Sequence, residues 1–330
     1  MLEEEVLALL RQHGEGYLSG EAMSRTLSVS RAAVWKAVEL LRKDGYEIAS
    51  ASNRGYRLAG SPDRIRAGEL SGALAGQLIG RELVCLETVD STNSEAKRRA
   101  ALGAAEGLAV ISEEQTGGRG RRGRSFQSLS GKGLYCSVLL RPAVSLDALS
   151  QVTAWTAVAV CRALRAGCGV EPQIKWTNDI LLGGKKLCGI LTEMALEAES
   201  ATPSHVVVGI GINVNQTTAD FGPELEGLAT SLTLEGCQPR RVELARHLLA
   251  ALERMYAAFP KEKEDYLAEY RARCITTGRE VLLLRGGSET AAFAEEIDDQ
   301  FALVVRLADG TRQTVSSGEV SVRGLLGQYV

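Results

Sequence analysis

Residues 117–126 read Gly-Gly-Arg-Gly-Arg-Arg-Gly-Arg-Ser-Phe, four glycines and four arginines in ten positions. No core helix or strand tolerates such a run, because glycine weakens regular structure and arginine resists burial. It must be a loop, mobile until an anion orders it. Forked guanidinium groups and closely approaching backbone N–H groups suit phosphate. Apolar runs frame it, Leu108 to Ile111 before and Leu134 to Leu140 after, and both read as strands. A nucleic-acid tail would not lie between two strands in mid-chain, so the loop hangs from a sheet, where binding loops are commonly carried. The string Gly118-x-Gly120-x-x-Gly123 also spells a dinucleotide fingerprint. That motif needs an apolar helix next and an acid about 20 residues on. Polar residues 125–131 follow instead, and Arg141 stands near the acidic position.

Residues 1–60 read as a separate unit. Leu2, Val6, Leu9 and Leu10 recur at helical spacing, and a short helix follows Ser19-Gly20 through Ala22, Met23 and Leu27. Ser30 caps a third helix whose buried stripe is Ala33, Val34, Ala37, Val38 and Leu41, with Arg31, Trp35, Lys36, Arg42 and Lys43 on or near the open face. Two short strands, 45–48 and 55–58, turn at Ser52 to Arg54. This is the plan of a winged helix-turn-helix, its third helix offered to a major groove. The DNA-contact candidates are Ser30, Arg31 and Lys36, with Arg54 on the wing. Seven Lys/Arg against three acids between Arg25 and Leu58 is a modest excess. One copy then binds DNA weakly, and dimerisation onto two half-sites supplies the rest. A protein-docking role for the same unit stays open.

At 330 residues with net charge −3 and 45% hydrophobic residues, the remainder is an ordinary globular chain with room for further domains. The N-terminus lacks the basic-then-apolar plan of a signal peptide, and the longest apolar stretch, 152–161, is too short to cross a bilayer. A cytoplasmic protein without membrane contact is expected. Seven cysteines without a C-x-x-C pair and three scattered histidines suggest no metal site.

Residues 59–63 have linker composition, so boundaries are expected at 1–60, 61–273 and 274–330. The middle segment alternates strands (83–88, 173–176, 180–182, 187–192, 206–213) with helices (96–101, 146–165, 242–257, 263–273). The last has strands 281–284, 290–297, 302–307 and 313–315 at hairpin spacing and reads as a small β-barrel. Three polar clusters stand at strand ends: Ser91-Thr92-Asn93, the arginine loop with Gln115, and residues 175–179 (Lys-Trp-Thr-Asn-Asp). Glycines in the 206–213 strand leave room for a flat ligand or neighbouring backbone. Lys185 and Lys186 fall on a Gly-Gly hairpin turn and read as solvated. The clusters supply polar groups for a head group and cations for a carboxylate and phosphates, with no nucleophile–base pair. That suits activation of a carboxylate by ATP, where positioning and charge neutralisation carry catalysis.

On these residues the chain resembles the biotin–protein ligase and biotin operon repressor family, most specifically at Gly118 to Arg124. Ser91 to Asn93, 175–179, 189–193 (Gly-Ile-Leu-Thr-Glu) and 209–214 (Gly-Ile-Gly-Ile-Asn-Val) support it. The resemblance implies an α+β fold: a winged helix-turn-helix, a central mixed sheet like that of class II aminoacyl-tRNA synthetases, and an SH3-like β-barrel. It implies that biotin and MgATP give biotinoyl-5′-AMP, which acylates a lysine of biotin carboxyl carrier protein. Biotinoyl-5′-AMP would also act as corepressor, pairing two subunits on operator DNA. By the same resemblance Ser91, Thr92, Asn93 and Gln115 hold biotin. Gly118, Arg119, Gly120, Arg121, Arg124 and Phe126 close over the adenylate, Gly189, Gly209 and Gly211 line the site, and Lys175 neutralises developing charge, so Lys175, Arg119 and Arg121 are the catalytic candidates. The family has Trp where Phe126 stands and Pro where Thr177 stands. A lipoate–protein ligase and a sensing repressor without ligase activity are the alternatives.

Overall fold

The computed structural model of the chain describes residues 1–196, 203–285, 288–316 and 321–324. The first sixty residues form α1 (Leu2–His13), α2 (Gly20–Thr26), α3 (Arg31–Lys43), β1 (Glu47–Ala51) and β2 (Gly55–Gly60). Local chemistry sets the ends. The side chains of Ser19 and Ser30 accept the backbone N–H groups of Ala22 and Ala33. Glu3, Glu4 and Glu5 lie at the positive end of α1. Val6, Leu7 and Leu10 meet Met23, Val34, Val38, Leu41 and Ile48 in a core of their own. Arg42, expected on the open face, instead donates to Ile48 O at 3.0 Å and Ser50 Oγ at 2.6 Å, tying α3 to the antiparallel β1–β2 hairpin.

The chain continues through α4 (Ala67–Leu70), β3 (Leu83–Val89), α5 (Thr92–Ala101), β4 (Ala109–Gln115), β5 (Gly133–Leu140), α6 (Leu146–Ser150) and α7 (Val152–Cys168). Then come β6 (Gln173–Lys175), β7 (Asp179–Leu182), β8 (Lys185–Leu196), β9 (Pro203–Asn213), α8 (Arg241–Ala258) and α9 (Lys263–Arg273). The expected 146–165 helix is broken at Gln151, and α5 starts at Thr92 rather than 96 because Ser91 takes the N-cap position. Seven strands form one mixed sheet in the order β3-β4-β5-β9-β8-β7-β6, with only β3 and β4 parallel.

Strand alternation gives this sheet two different faces. Val206, Val208, Ile210 and Ile212 of β9 join Cys136 and Val138 of β5 and Ile190 of β8 in the core beneath α7 and α8. α7 is apolar nearly all round, as a helix between a sheet and a second helix must be. On the other face Ala96 and Ala100 of α5 cover Val110, Leu139 and Val207. Gly209, Gly211 and Asn213 share that face and are left for the site.

β10 (Arg279–Arg285), β11 (Ser288–Ile297), β12 (Leu303–Leu307), β13 (Arg312–Val315) and β14 (Ser321–Gly324) pair antiparallel in the order β13-β12-β11-β10-β14. β14 was not legible in the sequence, and residues 325–330 of the expected third domain lie outside the described residues. This unit, together with α9 and the residues joining the two, backs onto the end of β6. Trp176 Nε1 donates to Phe301 O at 3.0 Å, Tyr270 Oη to Thr177 O at 3.2 Å, and Ile275 N to Ile174 O at 3.0 Å. Thr177 follows a cis peptide bond.

The segment that reads as a linker is clamped. Arg241, 2% exposed, donates to Asp63 Oδ2 at 3.1 Å, Glu113 Oε2 at 2.6 Å and Gly133 O at 3.3 Å. Glu113 Oε1 accepts Ile65 N at 2.7 Å. On the helical unit, Glu4 takes Arg66 and the N–H of Gly68, each at 2.7 Å, and Arg11 meets the buried Glu69 at 2.6 Å. Among the described residues no helix is long and apolar enough to cross a membrane.

Candidate functional site

Strand register sets five residues side by side across the open face. Tyr135 of β5 pairs with Gly211 of β9, Gly211 with Gly189 of β8, Gly189 with Asp179 of β7, and Asp179 with Lys175 of β6. At about 4.8 Å per strand this row spans roughly 19 Å. An aromatic ring stands at one end and an ammonium at the other, with two glycines between. Above it lies a cavity of about 460 Å³, whose lining includes Ser91 to Asn93, Gln115, Arg119, Arg121, Phe126 and Lys175. The three clusters separated by up to 88 positions in the chain therefore meet.

The arginine loop is folded down over this row. Phe126 N donates to Gly118 O at 2.9 Å, Gly120 N to Arg124 O at 2.7 Å and Gln115 N to Ser128 O at 3.1 Å. Its arginines reach two elements and a turn: Arg119 donates to Ser94 Oγ of α5 at 2.5 Å, Arg121 to Asn178 Oδ1 between β6 and β7 at 2.9 Å, and Arg122 to Leu284 O of β10 at 2.9 Å. Arg124 is exposed. Burial lowers the pKa of Arg121 while nearby Asp179 works the other way, and a guanidinium stays charged throughout. The glycines expected to clear a flat ligand clear the protein's own groups. A Cβ on Gly211 would sit 2.6 Å from the Phe126 ring, one on Gly189 3.5 Å from it, and one on Gly209 would meet the Asn93 amide. Phe126 also meets Tyr135 edge-on at 6.4 Å.

At the α5 corner the side chains of Thr92, Asn93 and Gln115 are oriented by hydrogen bonds. Gln115 Oε1 accepts Thr92 N at 2.8 Å and its Nε2 donates to Ser128 Oγ at 2.7 Å. Ser137 Oγ lies 2.7 Å from Thr92 Oγ1 and 2.6 Å from Asn93 Oδ1. Asn93 Nδ2 donates to Glu193 Oε2 at 2.8 Å, and Lys97 holds the other carboxylate oxygen at 2.7 Å. Burial pushes Glu193 up, but the Lys97 and Asn93 hydrogen bonds outweigh it and leave the pKa lowered. Ser91 occupies the N-cap position without making a side-chain cap bond.

Lys175 is buried at the opposite end. Lys186, read as solvated, instead lies 2.8 Å from Asp179 and lines the cavity. The far wall of Phe221, Leu225, Leu228 and Ala229, with Gln216, comes from a segment whose irregularity hid it from sequence reading, and Asn213 at the end of β9 adjoins it. Ser137 carried a usable signal, the one serine inside an otherwise largely apolar strand. Among the described residues no group of three or more His, Cys, Asp or Glu is placed to hold a metal ion.

Gly211→Ala is expected to displace Phe126 and lift the loop, since no methyl fits 2.6 Å from that ring. Trypsin cleavage after residues 119–124 and amide exchange across the loop should both accelerate. Unchanged protection would mean that Phe126 does not hold the loop down.

On the helical unit Ser30 is used as a cap, Arg31 and Lys36 stand exposed on α3, and Arg54 lies over the Tyr17 ring at 4.7 Å on the hairpin.

Residues 85–213 match the biotin/lipoate A/B protein ligase family, 3–57 an HTH domain and 276–323 the biotin protein ligase C-terminal domain. The chain is 36% identical over 320 residues to the bifunctional ligase/repressor BirA of Bacillus spizizenii, covering 96% of this chain and 97% of that one. It is 32% identical over 330 residues to the Escherichia coli protein of the same name, covering 97% and 96%. The biotin protein ligase of Aquifex aeolicus, solved in complex with biotin and ATP, superposes with a TM-score of 0.64 at 29% identity, over 74% of this chain and 99% of that one. A helical unit at one end, a clamped mixed sheet and a loop of arginines over its open face thus have relatives along the whole chain, and the chain belongs to the BirA family of bifunctional ligase/repressors.

Proposed function

We propose that the chain joins biotin to ATP, holds the adenylate beneath the arginine loop, and passes the biotinoyl group to a carrier lysine. The carrying observation is the row from Tyr135 to Lys175 roofed by Arg119, Arg121 and Phe126. A carboxylate oxygen of biotin attacks the α-phosphorus of MgATP and pyrophosphate leaves. The carrier's lysine amine then attacks the acyl carbon and AMP leaves. Ser91, Thr92, Asn93 and Gln115 hold the biotin head group in the corner fixed by Ser137 and Glu193. Gly118 to Arg124 cover the carboxylate and α-phosphate, with Gly189, Gly209 and Gly211 beneath. Lys175, with Arg119 and Arg121, neutralises charge as it develops. Water excluded from this roofed site cannot hydrolyse the mixed anhydride.

The helical unit with its hairpin is read as a winged helix-turn-helix repressor domain (1–60), with Arg31, Lys36 and Arg54 at operator DNA. Residues 61–273 form the synthetase-like ligase domain and 274–330 an SH3-like domain. Biotinoyl-5′-AMP promotes a homodimer that grips two half-sites, in the cytoplasm.

Incubation with biotin, MgATP and a biotin carboxyl carrier domain should add one biotinoyl group to the carrier's mass. Labelling by lipoate instead would make it a lipoate ligase. An unmodified carrier alongside intact operator binding would leave only a sensor. Sedimentation should show a dimer with biotinoyl-5′-AMP and a monomer without it.

A further inference from the structure

α3 buries Val34, Ala37, Val38 and Leu41 and exposes Arg31, Ala32, Trp35 and Lys36. Arg31, Ala32 and Trp35 lie three and four residues apart, so they share one face of the helix. Trp35 is 56% exposed, whereas the chain's other two tryptophans, Trp155 and Trp176, are 0% and 4% exposed. Isolated apolar side chains on a surface are ordinary. Trp35 is not isolated: it stands with Ala32 between two cations. Among the described residues neither Arg31 nor Lys36 forms a salt bridge, and the nearest acid on α3, Glu39, is held by Arg42 at 2.6 Å. The face is cationic at its edges and apolar at its centre, on the N-terminal half of a helix that Ser30 caps. Other residues, Arg11, Glu4 and Asp44, tie this unit to the ligase core.

Cations that flank an apolar centre match a duplex groove, where phosphates border base edges. In the major groove the one apolar group on a base edge is the thymine methyl. We propose that the Trp35 indole, aided by Ala32, packs against thymine methyl groups in the operator's major groove and so contributes sequence preference, while Arg31 and Lys36 contact phosphates. This rests on reading the helical unit as the operator-binding domain. Trp35 is then a specificity-determining residue that the fold itself does not need.

The test pairs a side-chain deletion with a methyl deletion. The full chain, saturated with biotin and MgATP, selects its preferred duplex from a random pool. Each thymine of that duplex is then replaced in turn by deoxyuridine, which removes only the methyl. At one or more symmetric positions the unsubstituted protein should lose affinity roughly fourfold per methyl, the value of one buried methylene-sized group. Trp35→Ala should bind the parent duplex roughly tenfold more weakly and show no further loss on deoxyuridine substitution. Trp35→Phe should restore part of the methyl sensitivity, and the slope of affinity against salt should be the same for all three, since no cation is removed. Equal deoxyuridine losses in the parent protein and Trp35→Ala overturn the inference and leave the repressor reading intact. So does a Trp35→Ala protein that binds the parent duplex as tightly as the unsubstituted chain. Recovery of no preferred sequence overturns both.

Discussion

Lys175→Ala is expected to slow formation of biotinoyl-5′-AMP by about two to three orders of magnitude while changing biotin affinity only a few-fold. The asymmetry follows from where the ammonium sits. It ends the cross-sheet row, about 19 Å from Tyr135 and far from the corner where Ser137, Gln115 and Glu193 orient the polar groups of α5. In the proposed reaction a group placed there meets charge that grows as the carboxylate oxygen bonds to phosphorus, so its loss is expected to raise the barrier more than it weakens the ground state. Being buried, the ammonium works in a medium where its field is poorly screened. Lys175→Met keeps most of the stem and removes the charge, separating electrostatics from packing. Single-turnover pyrophosphate release and calorimetric biotin titration read the two effects. A Lys175→Met enzyme at full rate, or equal losses in rate and biotin affinity, would contradict the role.

The surroundings explain why Lys175 can be held so firmly. Its strand is three residues long, too short to be rigid alone, but the C-terminal unit and α9 brace the next two residues, through Trp176 to Phe301 and Tyr270 to Thr177. Legibility in the sequence divides along the same line. The arginine loop, its framing strands, the cap of α3 and the α9 boundaries are local features, set by residues within a few positions, and they could be read directly. The row from Tyr135 to Lys175 could not, because it depends on the register of four strand pairs drawn from both sides of α7. Lys186 shows the difference. A hairpin lysine is ordinarily solvated, and only the irregular β7–β8 pairing returns its ammonium to Asp179. The glycines of β9 were legible as gaps, but not as gaps filled by Phe126 and Asn93. The 59–63 linker was misleading for a similar reason: its composition is that of a tether, while a side chain 178 positions away holds it in place.

That side chain, Arg241, is also where the fold is most exposed to a single substitution. Arg241→Leu is expected to destabilise the protein by about 3–5 kcal/mol in equilibrium denaturation, the usual cost of removing one partner from a buried ion pair. Arg241 is 2% exposed and Glu113 5%, so neither carboxylate nor guanidinium has water as a substitute partner. Glu113 is left buried and charged, Gly133 O loses a donor, and Asp63 loses the contact that fixes the chain between the helical unit and the sheet. The Arg241→Leu/Glu113→Gln pair should recover part of the loss, because the substituted amide is neutral and its oxygen can still accept Ile65 N; this non-additivity distinguishes an uncompensated charge from a packing defect. Glu113 lies two residues before Gln115 on the same strand, so biotin affinity should fall together with stability and recover in the double variant. If Arg241→Leu unfolds at the parent's midpoint, or if the two substitutions simply add, the clamp is not what joins the DNA-binding end of the molecule to the floor of its ligase site.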